Sequence, residues 1–152
     1  MKQTILYLLV GFFFLGASAQ AQTITTTQAL DFGEAVILAN DAQYEIVVSH
    51  NGSYSVDPQI SLVTPPTEGI YQLSGAPALQ LITAINITVT QQMIGAGEDF
   101  IIDNFDINNN PQTDASGDLT VEVGARLRTS GTGNPYLDAT TYNSVMTMDI
   151  IY

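Results

Sequence analysis

The chain has no cysteine and no tryptophan, a single histidine, and only three lysine and arginine residues against fifteen aspartates and glutamates in 152 residues. Each shortage excludes something. Without cysteine there is no disulfide framework, no thiolate nucleophile and no lipid-modified cysteine, so a secreted domain of this size must rely on a well-packed core. One histidine without cysteine leaves no donor set for zinc. Lys2 stands among the first residues, and the rest of the chain keeps only Arg126 and Arg128. A formal charge of −12 at pH 7 is the reverse of the basic patch that nucleic acid or an anionic membrane surface needs. Neither is expected as a partner. A mature chain without lysine also excludes lysine isopeptide cross-links and a lysine base. Solubility in an extracellular setting is the plain account of the acidity.

What is present begins with a targeting pattern. Lys2 gives a short positive start, Ile5 to Leu15 is an apolar run, and Ala17-Ser18-Ala19 or Ala19-Gln20-Ala21 fits the small-x-small cleavage rule. The run is shorter than the about 20 residues of a spanning helix. Residues 1–21 are expected to be a cleaved signal peptide, and residues 22–152 a single domain with no transmembrane anchor. The expected destination is the periplasm, the outer surface or the medium.

After residue 21 helical patterning is nearly absent. Thr, Val, Ile and Tyr suit strands, and clusters of Gly, Asn, Asp and Pro suit turns. Tyr44, Ile46 and Val48 alternate, and His50-Asn51-Gly52-Ser53 predicts a hairpin because Asn-Gly tolerates positive φ. Tyr54 and Val56 resume the alternation. Ile60 to Val63 forms a short strand ended by Pro65-Pro66, and Ile70 to Leu73 leads to Gly75. Leu79 to Thr90 reads as two short strands, and Phe100 to Ile102 as another. Leu119, Val121, Val123, Ala125 and Leu127 alternate against Thr120, Glu122, Gly124, Arg126 and Arg128, which sets both arginines on one solvated face. Asn108 to Gly117 reads as a surface loop. The last residues alternate as well, with Tyr142, Ser144, Met146, Met148, Ile150 and Tyr152 on one side. Eight to ten short strands predict an antiparallel β-sandwich, with an up-and-down barrel as the alternative.

Chemistry-bearing residues are few. His50 sits at a hairpin tip, where a turn role is expected. Asp106, Asn108, Asn110 and Asp114 are weak calcium candidates, since oxygen ligands in a loop suit that ion. However, Pro111 takes the place of the turning glycine and Gly117 that of the closing glutamate. An Asx-rich turn loop is the favoured reading, with Asp103-Asn104 hydrogen-bonding a turn. Glu98 and Asp99 are neighbours on an extended chain and point to opposite faces, a poor pair for acid–base work. No enzyme activity and no cofactor are expected. Tyr136 and Tyr142 flank the Gly131–Pro135 loop and could stack on a sugar, although core or rim packing is favoured for both.

Six segments in order resemble a bacterial secreted family, domain of unknown function 4402. They are Leu30-Asp31-Phe32-Gly33, Ser49-His50-Asn51-Gly52, Tyr71-Gln72-Leu73-Ser74-Gly75, Ile102-Asp103-Asn104-Phe105, Val123-Gly124-Ala125-Arg126-Leu127, and Thr141-Tyr142 through Tyr152. The departures are Thr140 for a common glycine and His50 for the hairpin proline. That family is similar in style to spore-coat-U-like and pilin-like domains, which are immunoglobulin-like β-sandwiches often incomplete by one strand. The resemblance implies an all-β, antiparallel immunoglobulin-like sandwich. It also implies a last strand inside a sheet, with Met146, Met148 and Ile150 lining the core and Tyr152 plugging one end. A missing neighbour strand would leave a groove open to strand addition by a second copy or a related subunit. The donor is expected between Gln22 and Phe32, where Ile24, Leu30 and Phe32 share a phase that Thr26 and Gln28 interrupt. The function expected is a non-enzymatic structural or adhesive cell-surface protein. The alternative is a self-complete soluble binding module, for example for glycans.

Overall fold

Leu119, Val121, Val123, Ala125 and Leu127 are buried along one strand, while Thr120, Glu122, Arg126 and Arg128 on the other face are half-exposed. Period-2 alternation has built a central strand with one face to the core. The computed structural model describes residues 22–94, 97–108, 112–137 and 141–152. The expected signal peptide, Asn110 and Thr140 lie outside the described residues.

Among those residues ten strands form and no helix does. They are β1 (Thr23–Gln28), β2 (Glu34–Ile37), β3 (Glu45–Val48), β4 (Tyr54–Val56), β5 (Ile60–Thr64), β6 (Gly69–Ser74), β7 (Ala84–Ile94), β8 (Ile101–Ile107), β9 (Leu119–Arg128) and β10 (Asn143–Ile151). All pairings are antiparallel. The larger sheet runs β1-β6-β9-β3-β4, with β8 on β9 as well. β9 therefore has three partners. β8 follows one edge of it, while the other edge takes β6 over Leu119–Val123 and then β3 over Ala125–Arg128. Two ribbons, β2-β5 and β10-β7, form the facing layer. The result is an open antiparallel β-sandwich.

The core follows this division. Phe32, Ile46, Val48, Ile60, Phe100, Ile102, Ala125 and Leu127 form one cluster, against which Ala35, Ile37 and Leu62 of the β2-β5 ribbon pack. Leu73, Ala76, Leu119, Val121 and Val123 form the other, covered by Ile85, Ile87, Met148 and Ile150 of the β10-β7 ribbon. Phe105 packs against both.

The hairpin forms as the Asn-Gly signal predicts. Gly52 takes φ +78°, its N–H donates to Ser49 O (3.0 Å), and Ser49 N–H donates to Ser53 O (2.8 Å). Four expectations are corrected. Leu79–Thr90 is not two strands: Leu79 is a left-handed turn residue at φ +54°, and one long strand begins at Ala84. Asn108–Gly117 is not all surface, since Thr113 is 2% exposed and Gly117 is buried against Ala76. Asp103-Asn104 is not a turn: Asp103 is in β8 and Asn104 takes φ +51° where the β8–β9 register slips. The last strand is not inside a sheet: β10 pairs β7 alone among the described residues. Tyr152 is 38% exposed, and its hydroxyl donates to Gln22 Oε1 (3.1 Å) instead of sealing the core.

Candidate functional site

The two ribbons do not close on each other, and a groove of about 600 Å³ runs beside β2. Its floor is apolar, from Phe32, Ile46, Phe100 and Leu127. One wall is β2. The other comes from Tyr136, Leu137, Thr141 and Tyr142, and Asp31 and Glu34 stand at its border. β2 pairs β5 through Ala35↔Leu62, Val36↔Ser61 and Ile37↔Ile60, and Leu38 N–H donates to Gln59 O (2.8 Å). In an antiparallel ladder, backbone groups of successive residues point to opposite edges. Leu38 and Val36 thus address β5, and Ala35 and Ile37 direct their N–H and C=O groups to the other edge, which is unpaired among the described residues.

The Leu30-Asp31-Phe32-Gly33 segment places this wall. Asp31 exchanges backbone hydrogen bonds with Thr67 (3.0 and 2.8 Å), Phe32 is buried, and Asp31 Oδ1 accepts from Gly33 N–H (2.9 Å). Gly33 has φ +76°, and a Cβ there would stand 2.3 Å from Thr64 O, so the chain can swing into β2 only with glycine at this point. Glu34 N–H then donates to Thr64 Oγ1 (2.7 Å).

Three aromatic rings shape the far wall. Phe100 stacks on Tyr136 with centroids 4.2 Å apart at 17°, and Tyr142 meets Phe100 edge-on at 4.9 Å. The Tyr136 hydroxyl accepts from Ser130 N–H (2.7 Å) and donates to Asp99 O (3.2 Å). Burial, above all, pushes the Tyr142 phenol up, helped by the nearby Tyr136, Asp99 and Glu98 and opposed by a backbone hydrogen bond from Leu137. The two tyrosines considered for sugar stacking thus use their rings on Phe100 and on each other, 6.1 Å apart.

The family described as a domain of unknown function, DUF4402, matches residues 23–152. The chain belongs to it. No curated protein and no solved structure matches the chain.

Both arginines of this DUF4402 domain are committed to acidic partners. Arg126 Nε donates to Asp103 Oδ1 (2.8 Å), Arg128 donates to the other Asp103 oxygen, and Arg126 also approaches Glu45 (3.4 Å). The solvated arginine face expected from the alternation is instead an ion-pair network across β3, β9 and β8. Burial pushes the Asp103 carboxyl up, but the hydrogen bonds and charges of the two arginines outweigh it and hold it below the usual carboxylate range. His50 donates its backbone N–H to Asp106 Oδ2 (3.0 Å), and its Nδ1 lies 3.0 Å from the same oxygen. That backbone bond leads in lowering Asp106. Asn108 extends the β8 ladder with its side chain, Oδ1 accepting from Glu122 N–H (2.9 Å). Asp114 accepts from Ser116 and Asp118 N–H (2.8 and 2.9 Å). The calcium candidates Asp106, Asn108 and Asp114 therefore serve three separate local structures. Among the described residues no three His, Cys, Asp or Glu side chains gather as a metal site.

The strand-exchange candidates divide. Phe32 and Tyr142 line the groove, and Leu30 packs against the cluster beneath it. Met146, Met148 and Ile150 face inward but half-buried on β10. Ile24 is 45% exposed on β1, which pairs with β6 of its own chain. The sequence reading missed β2 altogether, although Ala35-Val36-Ile37-Leu38 is a short apolar run bounded by Glu34 and Asn40.

Proposed function

We propose that this protein is an exported, non-enzymatic structural or adhesive cell-surface subunit that accepts an extended strand from another chain in the β2 groove. The observation that carries this reading is the open edge of β2 beside an apolar floor. An extended segment laid along Ala35 and Ile37 would gain ladder hydrogen bonds and set alternate side chains over Phe32, Phe100 and Leu127. The resemblance to pilin-like and spore-coat-U-like sandwiches expected from the sequence would fit such an open edge, by analogy of fold alone. In this reading the donor comes from a related subunit. The N-terminal strand considered for that part is held in its own sheet, and Phe32 belongs to its own core.

The test is assembly in the native surface fraction, on gels run with and without boiling and probed with an antibody to this protein. A boil-sensitive ladder is expected. Ala35→Pro should remove it, because proline deletes the outward N–H while an edge strand tolerates the ring. Circular dichroism should show the same sandwich in the variant. A single monomer band in both lanes of the wild type would sink strand addition and favour a self-complete binding module. A glycan array is then the next assay.

A further inference from the structure

An unpaired strand edge invites another strand, and soluble proteins guard such edges with charge, proline or brevity. Most edges here are guarded. β4 has three residues and runs into Asp57-Pro58, and β5 lies between Pro58 and Pro65. β2 carries Glu34, β8 carries Asp103 and Asp106, and β10 carries Asp149. β7 has no charge, but it meets β8, where Gln92 Oε1 accepts from Ile102 N–H (2.9 Å). β1 has no guard. It ends the larger sheet, its sequence is TITTTQ, and Thr23 to Thr27 are all exposed. Within the described residues the chain is uncharged from Gln22 to Leu30.

We infer that β1 is a docking edge for a second copy of this chain. Two β1 strands pair antiparallel about a two-fold axis and join two larger sheets into one. Two features select a copy of the same chain. An antiparallel strand pair about a two-fold is self-complementary, so one edge satisfies the other, and with the axis at Thr25 the facing pairs are β-branched, Thr25 opposite Thr25 and Ile24 opposite Thr26. Charge points the same way. Each copy carries −12, and both arginines are held by Asp103. Two copies therefore approach with least repulsion at a stretch without charge. β1 keeps its ladder to β6, so nothing unfolds, and the contact is separate from the β2 groove. The irregularity between Thr26 and Gln28 leaves Thr23 to Thr26 as the regular part. So short a contact buries less than the roughly 1,000 Å² of a stable interface, and the dimer is weak and concentration-dependent.

The test uses protein expressed from the full-length gene and sedimented over a wide range of concentration. Wild type should pass from monomer to dimer. Thr25→Glu, which sets like charges across the axis, should weaken association about tenfold or more. Thr23→Glu is a second variant of the same kind. Mixing Thr25→Glu with Thr25→Lys chains should restore the dimer, which a mere loss of folding would not allow. In a chain with no other cysteine, Thr25→Cys should give a disulfide-linked dimer on a non-reducing gel. A wild type that stays monomeric throughout, or a dimer unmoved by Thr25→Glu and Thr23→Glu, overturns the inference. Loss of association in Ala35→Pro alone would place the contact at the groove and overturn it too.

Discussion

Gly124 lies against the backbone of Val48: a Cβ built on Gly124 would stand 2.1 Å from the Val48 carbonyl oxygen. It would also be 2.6 Å from Ser49 C and 2.8 Å from His50 N. All three contacts are backbone atoms, so no side chain can swing aside. The close approach falls where one edge of β9 passes from β6 to β3, and where His50 is fastened to Asp106. Gly124→Ala should therefore destabilise the fold by about 1–3 kcal/mol, more than the roughly 0.4–1 kcal/mol gained from a stiffer unfolded chain. Urea unfolding followed by circular dichroism measures this. An unchanged midpoint would mean that the Val48–His50 turn can retreat at no cost.

Asp103 makes the fold acid-sensitive. Its carboxyl is held below the usual range, as are those of Asp106 and Asp114. A carboxyl lowered in the folded state stabilises it above the unfolded pKa, near 3.9 for aspartate. That contribution is lost as pH falls through the folded pKa. Stability should hold from neutrality to about pH 5 and decline below about pH 4. Asp103→Asn leaves Arg126 and Arg128 without their shared anion, so it should lower stability at neutral pH by about 1 kcal/mol, the upper end for a partly exposed pair. It should also make the decline on acidification shallower. Urea midpoints of both chains at neutral and acid pH decide the matter, and parallel curves would remove Asp103 from the account.

Much of this fold could be read from local pattern. Alternation fixed β9 and the inward face of β10, and Asn51-Gly52 fixed the hairpin, because those signals lie within one strand or one turn. What depends on distant partners could not be read. The shared face of Arg126 and Arg128 was legible, but Asp103, which bridges them, sits on another strand. Leu79 to Thr83 looks like strand by composition, but the backbone turns there, through a left-handed leucine and the Leu81↔Gln112 bridge. β2 is too short to stand out by periodicity. Its importance comes from its having no strand partner besides β5 among the described residues, and the sequence of the strand itself carries no mark of that. Of the groove residues, Phe32 was singled out only as part of a donor strand and Tyr136 and Tyr142 as possible sugar-stacking rings; Phe100 and the backbone of Ala35 enter through tertiary packing.

Thr113 shows the same limit in a single side chain, and gives the last prediction. It lies in a run of Asn, Pro, Gln, Asp and Ser that composition assigns to the surface, yet it is 2% exposed. Its Oγ1 donates to Pro77 O (2.7 Å) and accepts from Gln80 N–H (2.8 Å), while its own N–H donates to Gln80 O (3.0 Å). One hydroxyl thus satisfies a donor and an acceptor of the Pro77–Gln80 turn, which includes the strained Leu79 at φ +54°. Thr113→Val keeps the shape and removes both bonds. A buried group left unpaired costs about 1–3 kcal/mol, so the valine chain should lose about that much by urea unfolding. Thr113→Ser keeps the hydroxyl and should lose less. Amide exchange at Gln80 should rise in the valine chain and not in the serine chain. A serine chain that loses stability while the valine chain does not would show that the methyl group, not the hydroxyl, holds this loop against the core.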